Sequence, residues 1–285
     1  MDAGGPAWRR DKWLMYRPSG CENLPFSHDM TLMTLQATAR RRPVATAVAC
    51  AAAQFLLTVL ILKAGLAWFP PEDFGKVRLV AFASTIMFPM LLAQGLGLWK
   101  DLGLGWSGVR VAPVFLIGLL TGVVFLAQGV QAPGGQSVGG AVTMQFLNAF
   151  GEELLFRGVL FAVLLSLRRW QAIVLSGVLF GSMHLIHGVM DGDWVHAAWW
   201  ALWSSFAGMM FAAVRYATGS LWLTIFLHMF TNLCMIYSAI EPRLGTDVLT
   251  LVERGVNVVE LGIALYVIRQ SPRVADSGAG AATPG

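Results

Sequence analysis

Residues 44–69 read VATAVACAAAQFLLTVLILKAGLAWF, and Lys63 is the one charged side chain among them. A helix needs about 20 predominantly apolar residues to cross a bilayer. Within the lipid core the backbone has no water to bond, and a helix satisfies its hydrogen bonds inside one segment. This stretch therefore predicts a transmembrane helix that begins just after Pro43.

The rest of the chain repeats this pattern. Charged residues make up 13% of the sequence, hydrophobic residues 56%, and the mean hydropathy is +0.63. A typical soluble domain is about 25% charged. The composition excludes an ordinary soluble globule and a disordered protein, and it predicts an all-α, polytopic transmembrane helical bundle of about eight spans. The predicted spans are 44–69, 79–99, 111–131, 141–166, 170–190, 194–214, 219–240 and 247–268.

The basic residues predict the orientation in the membrane. Lys and Arg concentrate in the cytoplasmic loops of membrane proteins. With the N-terminus inside, fourteen of the 20 Lys and Arg fall in cytoplasmic segments, while the outer loops hold only Lys76, Arg78 and Arg243. Both termini are therefore predicted to be cytoplasmic. The same asymmetry accounts for the basic pI of about 9.2, so we expect no nucleic-acid partner.

Three parts are predicted along the chain. They are a basic cytoplasmic N-terminal segment (1–42), a transmembrane domain (43–268) and a disordered cytoplasmic tail of small residues (269–285). The three cysteines are widely spaced and predict no disulfide framework.

No organelle-targeting segment is recognisable, and the composition is rich in Ala, Gly and Arg. We therefore expect an integral protein of a bacterial inner (plasma) membrane.

Span four carries ionisable residues where lipid-facing residues would be apolar. Residues 150–158 read FGEELLFRG. Glu153 and Arg157 are four residues apart and so share a helix face on which they can pair. Glu152 lies about 100° away around the helix and can point toward other helices. Charged groups inside a bilayer are costly and mark functional sites. The pattern suits a carboxylate poised as a base, and the alternative is an ion pair that only holds the bundle together.

Polar residues in spans five and seven lie at a similar depth. Measured from the cytoplasmic span ends at about 1.5 Å per residue, Glu152 and His184 lie roughly 21 Å deep, His228 roughly 14 Å and Asn232 roughly 20 Å. Each residue alone would be typical of a hydrogen bond between helices. Independent structural contacts would have little reason to share one layer. Together these residues predict a functional site formed by three spans.

These three elements resemble the motifs of the CPBP family of intramembrane endopeptidases, which includes the type II CAAX prenyl proteases and the abortive-infection (ABI) proteins. The family motifs are EExxxR, FxxxH and HxxxN. They match residues 152–157, Phe180 to His184, and His228 to Asn232, in the same order and in separate predicted spans. The resemblance covers the motif core, roughly 141–235.

The resemblance implies a glutamate-type intramembrane endopeptidase that acts on a membrane-tethered peptide. Glu152 would be the general base, His184 would hold or polarise the water, and His228 and Asn232 would stabilise the oxyanion. The supporting residues would be Glu153, Arg157 and Phe180. The substrate would be a CAAX-type tail or a C-terminal sorting or leader peptide, and the lipid bilayer would be the surrounding partner. No cofactor is required by this scheme.

Three alternatives come from the same residues. Glu152, His184 and His228 could instead ligate zinc and leave one position open for water. Buried Glu and His side chains could also relay protons or bind a solute in a transporter, although no internal repeat of the kind common in transporters is recognisable. A non-catalytic immunity or scaffold protein could share the fold, since fold alone does not define function.

Overall fold

The computed structural model describes residues 28–106, 109–132 and 137–270. Over these residues the fold is helical and contains no strand, apart from one isolated bridge between Val130 and Ser238. The α-helices are α1 (His28–Arg41), α2 (Pro43–Trp68), α3 (Phe74–Leu96), α4 (Pro113–Val123), α5 (Val138–Glu153), α6 (Phe161–Leu164), α7 (Arg169–Ser182), α8 (Ile186–Asp191), α9 (Trp194–Thr218), α10 (Leu221–Ile236), α11 (Ile240–Leu244) and α12 (Thr246–Arg269). Short 3₁₀ turns lie at Pro71–Asp73, Val124–Leu126 and Met183–Leu185.

The all-helical class and the membrane character are confirmed. Helical segments occupy all eight predicted span positions. Four of the described segments are long and apolar enough to cross a bilayer, namely Pro43–Trp68, Pro71–Leu96, Arg169–Asp191 and Trp194–Thr218. Pro113–Leu126 and Leu221–Ile236 are apolar but shorter. The count of eight spans and the cytoplasmic position of both termini stay predictions.

The N-terminal region contains a helix that the sequence pattern did not indicate. Helix α1 lies inside the predicted segment 1–42. It packs through the buried Ala39, and Gln36 donates its Nε2–H to the carbonyl oxygen of Gly95 at 3.3 Å. Residues 1–27 and 271–285 lie outside the described residues. The predicted disordered tail therefore has only its first two positions described, and α12 ends at Arg269. The three-part division itself stays a prediction.

Predicted span four is not one regular α-helix. Helix α5 ends at Glu153 and continues as a π-helical segment, Leu154–Leu160, whose residues are all buried. Ser176 on α7 donates its Oγ–H to the carbonyl oxygen of Phe156 at 3.1 Å, so a neighbouring helix contributes a hydrogen bond within this segment. π-helical turns are rare and occur frequently at functional sites. Here the segment directly follows the two glutamates.

Small residues let α7 and α9 pack closely. Gly177 and Gly181 lie four apart on α7, and a Cβ atom added to Gly208 of α9 would lie 2.9 Å from the Cα atom of Gly177. Interfaces of this small-residue kind replace the hydrophobic driving force that is missing between helices in lipid. The close approach brings Phe180 of α7 against Phe211 of α9, whose ring centroids are 6.3 Å apart.

The first turn of α10 is stabilised by a capping residue and by a contact with a loop. Gly219 ends α9 in the left-handed region (φ 72°), which only glycine adopts readily. Ser220 then accepts the Leu223 N–H at 3.3 Å and caps α10. The loop before α4 also contacts this turn, since Trp222 donates its Nε1–H to the carbonyl oxygen of Leu104 at 2.9 Å. These contacts fix the helix that carries His228.

Candidate active site

The two adjacent glutamates lie in different environments. The Glu152 side chain is 28% exposed, whereas the Glu153 side chain is fully buried. Neighbouring residues of a helix point about 100° apart, so one carboxylate can face an opening while the other faces the core. Glu152 is therefore the more accessible of the two carboxylates.

Glu153 joins three helical segments through one oxygen atom. Arg157 donates its Nη1–H to Glu153 Oε1 at 3.0 Å, as their four-residue spacing suggests. His228 of α10 lies with its Nδ1 atom 2.9 Å from the same oxygen. Arg157 also donates its Nη2–H to the carbonyl oxygen of Gly208 on α9, at 2.9 Å. A buried charge is tolerated when it is paired and hydrogen-bonded, and this arrangement provides both conditions.

Aromatic rings surround the Arg157 guanidinium. Its Cζ atom lies 4.3 Å from the ring centroid of Phe180 and 5.2 Å from that of Phe211. A guanidinium is attracted to the electron-rich face of an aromatic ring at these distances, more strongly where water is excluded. Phe180, the first residue of the FxxxH element, therefore contacts the buried cation directly. It is also in edge contact with the His184 and His228 rings, at centroid distances of 5.4 Å and 5.8 Å.

His228 bridges the two glutamates. Its Nδ1 atom faces Glu153, and its Nε2 atom lies 3.7 Å from Glu152 Oε2. An ionised Glu153 can only accept, so Nδ1 must donate. Neutral His228 then presents Nε2 as an acceptor, and Nε2 can donate only when the ring carries a second proton. Phe211 stacks on the ring at a centroid distance of 4.9 Å and fixes its plane.

His184 reaches the site from the 3₁₀ turn that follows α7. Its Nδ1 atom is buried and has no hydrogen-bond partner within the described residues. His187, outside the three motifs, lies beside it, with the two ring centroids 6.5 Å apart. His187 stacks on Trp200 of α9 at 4.0 Å with an interplanar angle of 4°. The structure thus places His184 against Phe180, which also contacts His228, and beside the stacked rings of His187 and Trp200.

Asn232 has a partner that the sequence motifs do not contain. Its Nδ2–H donates to Oε1 of Gln145 on α5 at 3.0 Å. Gln145, Asn148 and Glu152 are spaced three and four apart and so share one face of α5. Gln145 has a sequence signal, because it is a carboxamide on the same face of an apolar helix as Glu152. Its partner Asn232 lies on another helix, and spacing along α5 does not identify it.

The zinc alternative requires Glu152, His184 and His228 to converge. The Phe180 ring contacts both imidazoles, and the His228 ring approaches Glu152 at 3.7 Å. Across the part of the chain that the structure describes, no group of three His, Cys, Asp or Glu side chains is arranged to hold a metal ion. The zinc alternative stays a prediction that a chelator experiment can test.

The fold and the site together define a class, a polytopic helical membrane protein with a Glu–Arg–His cluster inside the bundle. The family model of the type II CAAX prenyl endopeptidase, Rce1-like, matches residues 134–234. This match confirms the resemblance to the CPBP family, and it covers about a third of the chain, including all three motifs. No curated protein matches the chain.

The family and the helices support two plain statements. The chain is an integral membrane protein, because its apolar helices and the family model that it matches agree on this point. The family is one of membrane endopeptidases, whose substrates are membrane-associated peptides. The structure gives the positions of the seven predicted site residues. Their chemical roles stay predictions.

Proposed function

We propose that this protein is an intramembrane endopeptidase that hydrolyses a peptide bond of a membrane-tethered substrate with a water molecule activated by Glu152. One observation carries the proposal. Glu152 is partly exposed and lies beside His228, while the adjacent Glu153 is buried and engaged with Arg157 and His228. A general base must reach the proton that it abstracts, and Glu152 is the carboxylate placed to do so.

The reaction needs no covalent intermediate. Glu152 takes a proton from water, and the resulting hydroxide attacks the carbonyl carbon of the scissile peptide bond. The carbonyl π electrons move to oxygen and form a tetrahedral oxyanion. When the C–N bond breaks, the proton held by Glu152 passes to the leaving amine. One water molecule is consumed, and a carboxylic acid and an amine are released, which become a carboxylate and an ammonium by proton transfer.

Donors around Glu152 would stabilise the oxyanion. Asn232 can donate from its carboxamide, and His184 can hold or polarise the attacking water. His228 can donate from Nε2 only as an imidazolium, because Nδ1 is directed at Glu153. Preorganised donors of this kind usually supply the largest part of the rate enhancement. Glu153 and Arg157 would act indirectly by holding His228, and Phe180 by packing between the rings.

The substrate class follows from the family. A CAAX-type tail or a C-terminal sorting or leader peptide, anchored in the bilayer, would present its peptide bond to a site within the helical bundle. The charge distribution favours both termini in the cytoplasm, and the composition rich in Ala, Gly and Arg favours a bacterial inner membrane.

The test compares wild type with Glu152→Gln in detergent, using pools of membrane peptides and mass spectrometry with and without a chelator. Glu241→Gln is the matched control, because Glu241 is an exposed carboxylate on α11. We expect cleavage by wild type and by the control, no cleavage by Glu152→Gln, and no effect of the chelator. Cleavage by Glu152→Gln at the wild-type rate would contradict the proposal.

Other outcomes identify the alternatives. Chelator-sensitive cleavage that zinc restores would support the metal-dependent form of the protease. Solute flux in proteoliposomes that Glu152→Gln abolishes, with no peptide cleaved, would indicate a transporter. A cellular phenotype that survives Glu152→Ala would indicate a non-catalytic immunity or scaffold protein.

A further inference from the structure

Asn232 is held by a single side chain from another helix. Its Nδ2–H donates to Gln145 Oε1 at 3.0 Å, and the two residues are 87 positions apart in the sequence. The contact is partly buried and links α10 to α5. Because Gln145 and Glu152 lie on one face of α5, the residue that holds Asn232 belongs to the same helix face as the proposed base.

The orientation of an asparagine side chain needs such a contact. The terminal torsion of Asn is broad, so its rotamer does not decide which way the amide nitrogen and oxygen face. Turned by half a rotation, the same side chain would present its oxygen where its nitrogen had been. A carbonyl oxygen directed at a developing oxyanion would repel it, whereas an N–H would stabilise it. In the structure Gln145 presents its Oε1 atom, so the amide nitrogen of Asn232 is the end that faces Gln145.

We infer that Gln145 is a positioning residue that orients the Asn232 carboxamide for oxyanion stabilisation. Gln145 accepts one Nδ2 hydrogen of Asn232 and leaves the other for the reacting carbonyl oxygen. The inference rests on the proposed function, since it assigns Gln145 to the same site. Gln145 itself makes no contact with the reacting atoms in this scheme and acts through Asn232.

The simpler reading is that Gln145 and Asn232 only hold two helices together. Helices in lipid often use carboxamides in this way. Gln54 on α2 provides a comparison, because it is fully buried, donates Nε2–H atoms to Thr58 at 3.0 Å and Ser84 at 3.3 Å, and belongs to none of the three motifs. Gln54→Met therefore measures the effect of removing an interhelical glutamine that has no part in the site.

The kinetic test uses Gln145→Met, Gln145→Glu, Asn232→Ala and the double variant Gln145→Met/Asn232→Ala on a peptide that the wild type cleaves. We expect Gln145→Met to lower kcat about 10- to 100-fold with little change in KM, as misplacement of a catalytic group does. Gln145→Glu keeps the acceptor and retains most of the activity. The double variant is no slower than Asn232→Ala, and Gln54→Met keeps the wild-type kcat.

Three results would overturn the inference. One is an equal fold loss from Gln145→Met in the wild-type and Asn232→Ala backgrounds. Another is a Gln145→Glu variant as slow as Gln145→Met. The third is a loss of kcat in Gln54→Met that equals the loss in Gln145→Met, which would mean that removing any interhelical glutamine slows the reaction.

A second readout separates this inference from the proposed function. Thermal midpoints of the wild type, Gln145→Met, Asn232→Ala and the double variant form a double-mutant cycle that reports the Gln145–Asn232 contact without any substrate. Additive shifts would refute the contact itself. Coupled shifts together with a wild-type protein that cleaves nothing would mean that the contact exists and the proposed function is wrong, and the positioning role would then be lost with it.

Discussion

His228 Nδ1 and Arg157 Nη1 both lie within hydrogen-bond distance of the same oxygen atom of Glu153, at 2.9 Å and 3.0 Å. One carboxylate oxygen thus links a residue of α10 to a residue of the π-helical segment. The two glutamates therefore differ in environment. Glu153 is buried in contacts with Arg157 and His228, whereas Glu152 stays partly exposed.

Glu152→Ala and Glu153→Ala should fail in different ways. Glu152→Ala should abolish cleavage while expression and the thermal midpoint stay near wild type, because it removes a partly exposed group. Glu153→Ala leaves the buried Arg157 charge without its partner, which typically costs about 3–5 kcal/mol. We expect lower stability but a smaller specific loss of activity in the folded fraction. Thermal unfolding in detergent and cleavage per folded protein measure the two effects.

The reverse order would show that the choice of carboxylate is wrong. If folded Glu153→Ala were inactive and Glu152→Ala still cleaved, the base would have to be Glu153.

His184→Ala should abolish cleavage without loss of expression. His184 is the ring that the FxxxH element brings next to Phe180, and in the proposed mechanism it holds or polarises the water. His196→Ala is the matched control, since His196 is exposed near the start of α9. Peptide cleavage followed by mass spectrometry distinguishes the two variants. Activity retained in His184→Ala would remove this residue from the mechanism.

Adding one methyl group between α7 and α9 should destabilise the protein. A Cβ atom at Gly177 would lie 2.7 Å from the backbone nitrogen of Met209 and 2.8 Å from the carbonyl oxygen of Ser205, and backbone atoms cannot move aside cheaply. Overpacking of this kind typically costs about 1–3 kcal/mol. Gly177→Ala should therefore lower the thermal midpoint and reduce cleavage by displacing Phe180.

The control for this substitution lies on α12. A Cβ atom at Gly262 would meet nothing within 4 Å. Replacing a helical glycine by alanine at an open position is worth about 0.5–1 kcal/mol in favour of the helix. Gly262→Ala should leave the midpoint unchanged or raise it slightly, and a fall equal to that of Gly177→Ala would contradict the packing argument.

The orientation predicted from the Lys and Arg distribution can be measured directly. A green fluorescent protein fused after Gly285 should fluoresce, because that reporter folds in the cytoplasm. Alkaline phosphatase fused at the same position should be inactive, because it needs the oxidising side of the membrane. The opposite pair of results would place the C-terminus outside and reverse the predicted topology.

The helical segments and the polar cluster were largely predictable from the sequence. Apolar runs located the helices because lipid imposes both length and composition on them. The four-residue spacing of Glu153 and Arg157 predicted their ion pair, because such residues are neighbours on a helix surface. Similar depth along three spans predicted that Glu152, His184 and His228 would lie near one another. The structure shows Glu152 beside His228, with Phe180 in contact with both histidines.

Contacts between distant segments were not predictable. The Gln145–Asn232 bond joins two helices whose relative rotation no periodicity reveals. The Ser176 bond to the Phe156 carbonyl lies in the π-helical segment, and that segment has no signature in local apolar periodicity. The contact of His228 Nδ1 with Glu153, which fixes the role of Nε2, likewise depends on how α10 is turned against α5.

The π-helical segment Leu154–Leu160 sets the angular phase between the glutamates before it and α6 after it. Each residue added to or removed from a helix turns everything beyond it by about 100°. A deletion between Arg157 and Phe161 would keep every letter of the three motifs and still rotate α6 against its neighbours. The length of this segment therefore affects the site, although the three motifs do not specify that length. Two chains with identical motifs can differ in whether their carboxylates contact their imidazoles.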